Sequence, residues 1–113
     1  MITDLILTQA AALLATVQLN CTAPQIQVVD ELAWPGAYAR TIEDQNMIWM
    51  KRSAAESGSA YRILVHELIH CALYEQREKR GMHHPRSLDL QEEMMVQGLT
   101  DKLLGSRGQG AAK

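Results

Sequence analysis

The sequence predicts an α+β domain: a small three-stranded sheet packed on two or three helices. Three observations carry that reading. Residues 25–29, Gln-Ile-Gln-Val-Val, alternate and are rich in β-branched side chains, as a short strand is. Residues 37–42 and 46–50 are two more strand-like runs, joined as a hairpin by Glu43-Asp44-Gln45-Asn46. Two later segments, residues 60–79 and 88–104, space their apolar positions as helices do.

At 113 residues the chain is long enough for one core and one domain. That domain is expected over residues 1–104, with the Gly- and Ala-rich residues 105–113 as a flexible tail. The net charge of −2 and the mixing of both signs exclude a basic nucleic-acid surface. No stretch approaches the roughly 20 apolar residues of a membrane span. There is no Phe, and Met, Leu, Ile and Val must fill the core instead. Cys21 and Cys71 could pair, but two cysteines make no disulfide framework, and a reducing, cytoplasmic setting is the simpler expectation.

In chain order, Thr3 or Asp4 is the expected cap of a first helix reaching Leu19. Its buried face is Leu5, Ile6, Ala10, Leu13, Leu14 and Val17. The segment carries Asp4 and no Lys or Arg, so it is read as a soluble helix rather than a signal peptide. Pro24 keeps that helix from continuing, and the first strand follows. Pro35-Gly36 marks a turn before the hairpin. Residues 51–59 are a polar connector that delivers Ser59 as an N-cap. Gly81 stops the long helix, and Arg77-Glu78-Lys79-Arg80 is its solvated end. Residues 82–86 form a loop, and Ser87 or Asp89 caps the last helix.

Within the long helix lies His66-Glu67-Leu68-Ile69-His70, which reads H-E-x-x-H. Residues four apart share a helix face, so both imidazoles reach one metal ion. Two neutral His nitrogens suit Zn²⁺. Glu67 follows the first His directly, and its carboxylate is placed to take a proton from a water at the metal. Cys71 points about 100° away from His70 and is not counted as a ligand.

A catalytic zinc site takes three protein ligands and a water, so one ligand is missing. The candidates are His83, His84, Asp89, Glu92 and Glu93. The last helix sets Leu88, Met95, Val96, Leu99 and Leu103 on one face. Glu92 projects near the middle of that face and Glu93 on its flank, so periodicity prefers Glu92.

The segment 64–73 around the motif, followed by residues 92–104, resembles the gluzincin metallopeptidases. Among these it is most similar to the very small ones, the minigluzincins and phage-type or ImmA/IrrE-like proteins. The resemblance implies a minimal zincin-like fold, a zinc-dependent peptidase activity on a peptide or protein substrate, and a glutamate as third ligand. In those families a large apolar residue and then a small one follow that glutamate by six and seven positions. Leu99 and Thr100 meet this pattern when counted from Glu93, so the resemblance selects His66, His70 and Glu93 as ligands and Glu67 as general base. Gln97 stands where larger members place an Asp four residues after the ligand.

Two alternatives accompany this reading. His83 and His84 after Gly81 are similar to the loop that supplies a third His in SprT-like proteases. A zinc-binding module of the same fold, acting only through protein contacts, would carry the same ligands without chemistry. An extended peptide could pair with a sheet edge drawn from residues 37–50.

Overall fold

The computed structural model describes residues 2–81 and 89–105, and the side chains of all of these except Ile2 and Asp89. The fold is α+β, as the sequence predicts, with the helix Ala60–Lys79 at its centre packing against the helices Ile2–Ala15 and Asp89–Leu104 and the strand Ala39–Ile42. His83, His84 and residues 106–113 lie outside the described residues, as does the side chain of Asp89.

Helix α1 spans Ile2–Ala15. Thr3 is already helical and is only 4% exposed, so neither Thr3 nor Asp4 caps it. The helix stops short of Leu19 because Gln18 turns left-handed at φ 61°, and the Leu19 N–H bonds back to Leu14 O. Ala10 and Leu14 are buried, whereas Leu5 and Val17 face outward. A single stripe on so short a helix cannot include both, and the turn at residues 16–18 takes Val17 off the helix axis.

Strands β1 (Gln25–Val29), β2 (Ala39–Ile42) and β3 (Met47–Lys51) form a sheet of order β1-β3-β2. β1 runs parallel to β3 and β2 antiparallel to it, with Thr41 opposite Ile48 and Arg40 opposite Trp49. The hairpin needs no Gly. A 3-10 turn at Glu43–Gln45 leads into Asn46 in the left-handed region, which Asn tolerates. The Asn46 side-chain amide donates to Ala23 O at 3.2 Å and ties the turn to the start of β1.

Ile48 and Met50 point from β3 into the core and are fully buried. Successive strand residues alternate faces, so Trp49 lies on the opposite side. There its ring meets that of Trp34 edge-on at 6.5 Å, and the Arg40 guanidinium sits 4.9 Å from the centre of the Trp34 ring.

The connector is not simply polar coil, for Arg52–Ala55 form one helical turn, α2, that buries Ala54 and Ala55. Helix α3 spans Ala60–Lys79. Ser59 does not cap it through its side chain; the hydroxyl of Ser57 accepts the Ser59 N–H instead. Leu64, Val65, Leu68 and Ile69 are its core face. Gly81 ends it at φ 66°, a left-handed position that Gly adopts without strain.

Helix α4 spans Asp89–Leu104 and buries Val96 and Thr100, with Leu99 and Leu103 partly covered. Met95, expected on that face, is half exposed. Arg62 of α3 bonds Asp101 at 2.8 Å and also the carbonyl of Gly105, which holds the end of α4 against α3.

The cysteines depart from expectation. Cys21 and Cys71 are joined as a disulfide, with Cα atoms 5.7 Å apart. Beside it both carboxylate oxygens of Glu75 accept the Thr22 N–H, at 2.9 and 2.8 Å. A loop that follows α1 is thereby fastened to α3 twice. Sequence spacing could not reveal this, because a separation of 50 positions carries no record of the cysteines' approach in space. No described helix is long and apolar enough to cross a membrane.

Candidate metal centre

Helix α3 presents His66 and His70 on one face, one turn apart, and their ring centres lie 5.1 Å from each other. Both are largely covered, at 17% and 14% side-chain exposure. Across from them α4 brings Glu93, whose carboxylate reaches both rings. Its oxygens lie 2.6 Å from His66 Nε2 and 3.1 Å from His70 Nε2. The two Nε2 atoms and a Glu93 oxygen therefore converge on one point, with ligand atoms within 4.8 Å of one another. Two imidazole nitrogens and a carboxylate oxygen are a donor set that zinc accepts.

Glu92, one residue earlier, does something different. It lies in the buried stripe of α4, as periodicity predicts, and is only 8% exposed. Its Oε2 accepts from His70 Nδ1 at 3.0 Å, and its Oε1 accepts from Arg77. Arg77 also approaches Glu43 of the hairpin turn at 3.5 Å. Far from being part of a solvated helix end, Arg77 is folded inward at 18% exposure. Consecutive residues on a helix diverge by 100°, so Glu92 meets the back of His70 while Glu93 faces its front.

The charges at Glu92 respond accordingly. Burial pushes its pKa up, but the hydrogen bonds from His70 and Arg77 outweigh burial and hold it at about 2, against an ordinary 4.5. Burial pulls His70 down, yet the hydrogen bond to Glu92 and the nearby charges of Glu67, Glu93 and Glu92 leave it raised. A depressed carboxylate adds stability above its unfolded value and loses it as pH falls through its folded value. The metal-free protein is therefore expected to lose thermal stability as pH falls from about 4.5 to about 2. In Glu92→Gln that part of the decline should be absent. Melting curves across this pH window check it, and matching declines in both proteins would refute the assignment.

Glu67 is buried at 8% exposure, on the same helix face as the two imidazoles' flank. Its Oε1 accepts from the Thr41 hydroxyl at 2.7 Å, and the same hydroxyl lies 3.2 Å from Glu67 O. Thr41 belongs to β2, the strand at one edge of the sheet. β2 thus stands directly over the motif.

A cleft of about 640 Å³ opens between β2 and the two helices. Tyr38, Arg40 and Thr41 form one wall, His66, Glu67 and His70 the floor, and Glu93, Gln97 and Thr100 the other wall. Gln97 does not turn toward a histidine; it donates to Asp101 at 3.2 Å.

Sequence reasoning missed Thr41 and Arg77. Thr41 carried no signal beyond a polar residue on an inward-facing strand position. Arg77 did carry one, since it lies seven residues after His70 and so on the same face of the helix. No protein-family model matches the chain, and no curated protein or solved structure matches it either.

Proposed function

We propose that the protein is a zinc-dependent metallopeptidase whose ligands are His66, His70 and Glu93 and whose general base is Glu67. One observation carries the reading: both Nε2 nitrogens and the Glu93 carboxylate converge at the floor of an open cleft, with a buried carboxylate beside them. A structural carboxylate–histidine cluster has no need of a cleft, whereas hydrolysis does. Zinc bound there would polarise the scissile carbonyl and lower the pKa of the attacking water.

The chain's own residues account for the remainder. Glu67 takes the proton from the attacking water and returns it to the leaving amine. Thr41 holds the Glu67 carboxylate in place through its 2.7 Å bond. The outer edge of β2, which among the described residues pairs with β3 on its other side alone, offers backbone groups to an extended peptide running over the cleft. The partner is thus a peptide or protein rather than nucleic acid or membrane.

The compartment follows from the cysteines. A cytoplasmic protein would keep them as thiols, and one in an oxidising setting would keep them bonded. Counting free thiols in protein taken directly from its source cells separates the two.

The metal reading has a direct test. Purified wild type should hold about one zinc per chain, and His70→Ala and Glu93→Gln should each lose it while remaining folded. Elemental analysis beside circular dichroism reads both quantities. Stoichiometric zinc in Glu93→Gln would remove Glu93 from the site.

A further inference from the structure

Glu92 is the buried charged group that the reaction above leaves without a task. It is fixed from two sides by α3: His70 and Arg77 lie two helical turns apart on one face, and each meets one oxygen of the same carboxylate. An imidazole with nothing on Nδ1 is free to turn about its ring axis and present either nitrogen. A ring whose Nδ1–H is held by an anchored carboxylate presents Nε2 alone.

We propose that Glu92 is a positioning residue for the metal centre, locking His70 with Nε2 toward the metal, and that Arg77 is the anchor holding Glu92 in that pose. This rests on the zinc reading given above. The arrangement supplies what position 97 does not. The resemblance to larger gluzincins directs attention four residues beyond the ligand, but Gln97 is turned to Asp101, and Asp101 is itself engaged with Arg62. The orienting carboxylate comes instead from the residue preceding the ligand and acts on the second histidine of the motif. Glu92 and Glu93 then serve one histidine from opposite sides, the first at Nδ1 and the second at Nε2.

The test compares full-length wild type with Glu92→Ala, Glu92→Gln and Arg77→Met. Zinc affinity is measured by competition with a chromophoric chelator, the visible spectrum of the Co²⁺-loaded proteins is recorded, and thermal melting monitors the fold. Glu92→Ala should bind zinc roughly 10- to 100-fold more weakly at unchanged stoichiometry. Its Co²⁺ spectrum should keep the wild-type coordination bands, since no ligand is lost. Glu92→Gln retains an acceptor for Nδ1–H and should recover part of the affinity, while Arg77→Met should weaken binding less than Glu92→Ala does.

A purely structural Glu92 would lower the melting temperature and leave zinc affinity at the wild-type value, which overturns the proposal. A Co²⁺ spectrum showing a lost ligand in Glu92→Ala also overturns it, by making Glu92 a ligand. Should Glu92→Ala fail to fold, wild-type zinc affinity in both Glu92→Gln and Arg77→Met overturns it equally. Wild type that takes up no zinc sinks the metallopeptidase reading together with this one. Zinc-binding wild type with unaffected variants sinks this one alone.

Discussion

Glu67→Gln is expected to keep its zinc and its fold and to lose peptide hydrolysis by roughly 10²- to 10⁴-fold, the usual contribution of a positioned general base. The substitution is nearly isosteric. The amide oxygen of Gln can still accept the Thr41 hydroxyl that holds Oε1 at 2.7 Å, so the side chain has no reason to leave its place. Because Glu67 is not among the three proposed ligands, metal content should be untouched. What disappears is the capacity to take a proton from water. The measurement is cleavage of a mixed library of fluorescence-quenched peptides by zinc-loaded wild type and variant, with zinc content determined on the same samples. Equal cleavage by both would remove Glu67 from the chemistry. Zinc in both and cleavage by neither would favour a module that acts through protein contacts.

Breaking the Cys21–Cys71 bond is expected to destabilise the fold by about 4 kcal/mol, the chain-entropy value for a closed loop of some 50 residues. For a domain of this size that is a large share of a total near 5–15 kcal/mol. The bond fastens the segment after α1 to the middle of α3, one residue beyond His70, and α1 supplies Ala10 and Leu14 to the core. In the reduced protein the Glu75–Thr22 and Asn46–Ala23 hydrogen bonds still hold that segment, without the covalent tie. Urea unfolding with and without a dithiol reductant, and of Cys21→Ser/Cys71→Ser, reads the effect. With m near 1–3 kcal/mol/M, the midpoint should fall by about 1.3 M or more. Coincident curves would show that the bond contributes nothing to the folded state's advantage.

Much of the architecture was legible because it rests on local rules. The β-branched alternation at residues 25–29 marks β1 with its exact bounds, and the bounds of α3 follow from its apolar spacing and from Gly81. That His66 and His70 present their rings together follows from the i, i+4 relation, which no tertiary context alters. Glu92 and Glu93, the two glutamates considered as third ligand, occupy different surroundings. Periodicity correctly put Glu92 in the buried stripe, and the helix register correctly put Glu93 at the flank facing the cleft. Each argument described a different residue's surroundings.

What stayed hidden depends on contacts between distant segments. Arg77 sits in a run of charges that local composition reads as solvated, and only the approach of α4 and of the hairpin turn draws it inward. Ser59 stands at the N-cap of α3 without a side-chain bond to the helix, and its own N–H is taken by the Ser57 hydroxyl. The disulfide is hidden for the same reason, as two cysteines far apart in sequence carry no local sign of meeting.

The order of the strands has a consequence for how the molecule comes into being. β3 is last of the three in the chain yet central in the sheet, and every pairing in that sheet includes it. While the polypeptide is being synthesised, β1 and β2 therefore have no mutual partnership to fall back on. Neither strand finds its place until residues 47–51 have emerged. β2 then closes against β3 through a tight local turn, the quick kind of contact, while β1 must span the intervening hairpin to join in parallel, the slow kind. α3 follows after the single turn of α2, so the motif helix arrives soon after the platform it packs upon becomes available.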